Sequence, residues 1–116
     1  MEYRFLQKFA KVDPLEVWKQ IQQRLSRNEM IKSITGVPYM ITSVNTLTIS
    51  YTSPKRSSGV EEDLGKSDFI EIVLLLQKQG VFNTSNSKDS FPNKIKRKRS
   101  PTFAILIATG VIEPIV

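Results

Sequence analysis

The sequence predicts an α+β domain, a small antiparallel sheet built on a 38–51 hairpin and packed with three helices. Three observations carry this expectation. Asp13-Pro14 and Ser100-Pro101 each set a capping side chain ahead of a proline, the arrangement that starts a helix. Residues 38–44 and 47–51 are rich in β-branched and aromatic side chains, and Asn45-Thr46 separates them at hairpin spacing. A chain of 116 residues holds one modest core, so residues 1–116 read as a single domain.

Taken in order, residues 3–12 alternate loosely and suit a strand or an ordered arm. From Asp13-Pro14 a helix is predicted to about Arg27, with Leu15, Trp18, Ile21 and Leu25 on one apolar stripe. A short apolar-polar stretch over 29–35 closes at Gly36. In the hairpin, Leu47, Ile49 and Tyr51 should share one face. A third, heavily acidic strand is possible over 60–64. Ser67 should cap a helix over 68–79 that Gly80 stops. Its run Phe69-Ile70-Glu71-Ile72-Val73-Leu74-Leu75-Leu76 also admits a buried strand. Length, the Ser-Asp opening and the glycine stop favour helix. Residues 83–100 read as a mobile basic loop, Ser100-Pro101 restarts helix, Gly110 ends it, and an apolar tail follows.

Composition removes several chemistries. With no cysteine and no histidine, there is no disulfide, no thiolate nucleophile and no imidazole base or ligand. No cofactor is implied. The opening residues lack the apolar centre of a signal peptide. The longest apolar runs, 72–76 and 103–108, are too short for a bilayer. The expectation is a cytoplasmic protein (nuclear in a eukaryotic host) with no membrane partner. The apolar richness of 69–76 and 103–116 suggests a homodimer.

Charge is the strongest functional signal. Residues 81–100 carry Lys88, Lys94, Lys96, Arg97, Lys98 and Arg99 against Asp89 alone, a local +5 in a chain of net +6. Four consecutive cations repel by roughly 1 kcal/mol per close pair in water, a cost that an anion would relieve. Phosphate contact by this run releases counterions and needs no base reading. Ser100 could help hold a phosphate at a helix start. Lys55 and Arg56 form a second possible clamp. A plain solvated loop is the competing interpretation. Arg24 and Arg27 with Gln20 and Gln23 make a face able to meet base edges, and Tyr39 and Tyr51 could stack bases, though both patterns are also ordinary.

Two enzymatic readings are weaker. Gly65-Lys66-Ser67 has the look of a phosphate-binding loop, but Val60 stands where its first glycine belongs and Glu61-Glu62-Asp63 would repel phosphate. Glu61, Glu62, Asp63, Asp68 and Glu71 could serve a metal-dependent nuclease, yet no lysine follows Glu71 at the spacing the common type uses.

A longer pattern runs through Ile34-Thr35-Gly36-Val37-Pro38-Tyr39, Ser43-Val44, Leu47, Ile49 and Lys55-Arg56. It continues with Lys66-Ser67-Asp68-Phe69, Leu75-Leu76, Gly80 and Arg99-Ser100-Pro101-Thr102-Phe103. It resembles a small helix-and-hairpin domain that accompanies bacterial restriction and other DNA-processing proteins. The acidic 61–63 segment and the Ser/Asn/Lys-rich stretch depart from that pattern. The resemblance implies a DNA-associated module and carries no active-site residue. The expected function is non-enzymatic nucleic-acid binding, DNA ahead of RNA, through Lys94, Lys96, Arg97, Lys98, Arg99 and Ser100 with Lys55 and Arg56 assisting. The alternative is an adaptor whose basic segment meets an acidic protein partner.

Overall fold

The computed structural model describes residues 2–53, 60–83 and 91–115. Within them the chain is α+β, with two antiparallel sheets and four α-helices. In order these are β1 (Tyr3–Phe5), α1 (Pro14–Arg24), β2 (Met30–Lys32), β3 (Pro38–Val44), β4 (Thr48–Thr52) and β5 (Glu61–Gly65). Then follow α2 (Lys66–Gln79), β6 (Val81–Phe82), α3 (Asn93–Lys96), α4 (Arg99–Ala108) and β7 (Ile112–Pro114).

The expected hairpin is the centre of a four-stranded meander, β2-β3-β4-β5. Its turn is longer than two residues. The Asn45 side-chain oxygen accepts from the backbone N–H of Leu47 and of Thr48, at 3.0 and 2.9 Å. That Asx turn draws Leu47 out of the strand and leaves it 65% exposed, while Ile49 and Tyr51 point into the core. The acidic 61–63 segment is strand β5, paired with β4.

A second sheet, β6-β1-β7, is absent from the sequence reading. Tyr3 pairs with Phe82 and Phe5 with Ile112, so the two ends of the chain run side by side. Arg4 and Glu113 face each other across this sheet at 3.1 Å.

Helix α1 begins as expected: the Asp13 carboxylate accepts from Leu15 N–H at 2.9 Å and Pro14 follows. Replacing Asp13 by Ala should cost about 1 kcal/mol, read as a lower denaturant midpoint at unchanged slope. The helix stops three residues earlier than expected. Leu25 turns extended to bury its side chain, Glu29 accepts from Ser26 N–H, and Asn28 takes a left-handed conformation.

Helix α2 starts at Lys66 rather than Asp68, because β5 runs straight into it. Gly65 is its cap, and Ser67 makes no capping bond. It stops at Gly80, whose φ of 76° is open to glycine at little cost. One stripe of α2, Phe69, Ile72, Val73 and Leu76, is buried, with Trp18 of α1 against Phe69 at 5.1 Å. Helix α4 is buried from Pro101 to Leu106 and packs on β2 and β3 of one sheet, on β7 of the other, and on α2. Both apolar runs that suggested a homodimer are therefore spent largely inside one chain.

Candidate nucleic-acid interface

The basic run does not fold as a loop. Residues 93–96 form α3, a tight corner follows at Arg97 and Lys98, and Arg99 opens α4. Residues 84–90 lie outside the described residues, as do Lys55 and Arg56. The cause is the one apolar residue inside the run. Ile95 is fully buried in the core and Phe91 nearly so. Phe91 anchors the chain just ahead of the helix, Pro92 caps it in an extended conformation, and Ile95 anchors the single turn that follows. Core burial thus overcomes the repulsion among neighbouring cations.

Each predicted cation then has its own surroundings. Lys94 reaches Glu71 of α2 at 3.2 Å, and its side chain stays 69% exposed. Arg97 reaches Glu62 of β5 at 3.8 Å and is 87% exposed. Pairs so wet are worth about 0.2–1 kcal/mol or nothing. Lys96 is half-buried on the same corner. Lys98 lies over the Tyr51 ring, 5.6 Å from its centroid, and donates to the Tyr51 hydroxyl at 3.4 Å. Burial, helped by the Glu62 charge, pushes that hydroxyl well above its ordinary ionisation range, so it stays protonated.

Ser100 is not a cap. Lys98 occupies the cap position of α4 without a side-chain bond, and the Ser100 hydroxyl accepts from the Tyr39 hydroxyl at 2.8 Å. Tyr39 and Tyr51 are buried and pack edge to face at 5.5 Å, so they hold the start of α4 and offer no platform to a base. Arg99 is half-buried. With Ser33, Ile34, Thr35, Ser100 and Phe103 it lines a cavity of about 10 Å³, room for one water at most.

Three other candidates, Arg24, Lys66 and Asp63, are used structurally. Arg24 donates to the Thr109 carbonyl at 2.9 Å and lies over the Phe9 ring, clamping α1 to the end of α4. The Lys66 N–H that a phosphate loop would offer its ligand donates instead to the Leu47 carbonyl. Asp63 accepts from Ser50 at 2.6 Å, and no group of three or more Asp or Glu among the described residues converges as a metal site. Nor is any helix among them long and apolar enough to cross a membrane.

No protein-family model, curated protein or solved structure matches this chain. The sequence alone offers Glu62 and Glu71 as possible metal ligands, and Glu62 also as an acid that would repel phosphate at the Gly65-Lys66-Ser67 turn. In the structure each faces a cation of the basic run. Nothing local signals these partnerships, since they join segments distant in the chain.

Proposed function

We propose that the α3–α4 corner is a phosphate-binding surface and that the protein is a non-enzymatic nucleic-acid binder, DNA ahead of RNA. One observation carries the reading. Lys94 and Arg97 project their charges into solvent from a corner pinned to the core by Ile95, with Lys96 and Lys98 alongside. Cations on an anchored scaffold lose less freedom on meeting a phosphate backbone than cations on a flexible tail. The contacts would position without reading bases. Service beside a DNA-processing protein, as the resemblance of the sequence suggests, belongs to the same proposal.

A second reading has its own support. Glu71 and Glu62 already occupy the corner, so protein carboxylates fit it, and an acidic protein partner would meet the same side chains. A salt series of mobility shifts on duplex DNA, single-stranded DNA and RNA separates the two. Four phosphate contacts give a slope of about −3.6 in log K against log salt on duplex, roughly a hundredfold loss of affinity between about 50 and 200 mM. Absence of any shift at low salt removes the nucleic-acid reading.

A further inference from the structure

We propose that Glu62 and Glu71 act as built-in competitors of phosphate, an internal latch that attenuates polyanion binding at the α3–α4 corner. This inference rests on the preceding reading and deepens it. The two acids approach the corner from a single unit, because β5 passes directly into α2 at Gly65. Glu62 sits in register with Tyr51, on the sheet side that meets Lys98, and reaches Arg97. Glu71, further along on α2, reaches Lys94.

The four side chains involved are all at least 31% exposed, and the Arg97 pair spans 3.8 Å. Such contacts contribute little to the fold. They do place a negative oxygen where a phosphate oxygen would come, on the two most exposed characterised cations of the run. An incoming phosphate must displace each carboxylate before it reaches the cation. A densely charged strand, presenting many phosphates at once, can do so; an isolated anion gains too little.

The test is a double-mutant cycle read by fluorescence anisotropy with a labelled mixed-sequence DNA duplex at low salt. Glu62→Gln and Glu71→Gln should each tighten binding by about 1.4- to fivefold, the range set by the worth of an exposed pair. Glu61→Gln adds the same charge from the exposed residue beside Glu62 and should tighten it less. In an Arg97→Gln background the Glu62→Gln gain should vanish, and in a Lys94→Gln background so should that of Glu71→Gln. Thermal melting of each variant confirms that the fold persists. Gains that match Glu61→Gln, or that survive loss of the paired cation, are bulk charge effects and overturn the latch while leaving the binding surface intact. No binding by the unaltered protein and none by Glu62→Gln/Glu71→Gln overturns both.

Discussion

Replacing Lys94, Lys96, Arg97 and Lys98 together by glutamine should abolish most duplex binding, by more than about tenfold at low salt, and flatten the salt slope by about 3 to 4. The loss should be uniform across DNA sequences, since phosphate contacts carry no base information. Arg99 is left in place because it is half-buried beside Ser33 and Phe103. The fold should survive. Lys94 and Arg97 are mostly exposed, and the Lys98 contact to Tyr51 is long for a hydrogen bond. Circular dichroism and the denaturant midpoint should change little. Retained affinity with an unchanged slope would place the binding surface elsewhere.

Phe103→Ala should have the opposite signature, a large loss of stability of about 3–5 kcal/mol. Phe103 is buried in α4 and stacks on Phe82 of β6, with ring centroids 5.9 Å apart. Phe82 in turn meets Phe5 of β1 at 5.6 Å. Helix α4 touches both sheets, so a cavity here weakens the contact between them. Against a total stability of about 5–15 kcal/mol, such a loss is a large fraction of the margin. Urea unfolding monitored at Trp18 measures it, and a loss below about 1 kcal/mol would show that α4 is not the keystone its burial implies. The corner that carries Lys94 to Lys98 leads into α4, so DNA binding by this variant should be lost at the lower urea concentration at which it unfolds. Binding and stability thus separate in the glutamine variant, whereas in Phe103→Ala binding follows the shifted unfolding curve.

The same contrast explains what could be read in advance. Asp13-Pro14, Asn45 with its flanking β-branched runs, and the glycines at 80 and 110 mark their elements through local stereochemistry. Contacts a few residues apart decide such features, so helices α1 and α2, the hairpin and the α+β class were visible in one dimension. The basic run was visible as charge for the same reason. Its shape was not, because the outcome turned on Ile95, and an isoleucine among lysines shows its role only when a core is there to receive it.

Composition and local pattern by themselves determined the fold class, the principal helices and the location of the excess positive charge. Tertiary structure alone decided that β1, β6 and β7 form a sheet, that Tyr39 and Tyr51 serve α4, and that Glu62 and Glu71 face the cations. Local order follows from torsional preference and nearby hydrogen bonds. Pairing between distant segments follows from which surfaces the collapsed chain must bury together, and neighbours in sequence do not encode it.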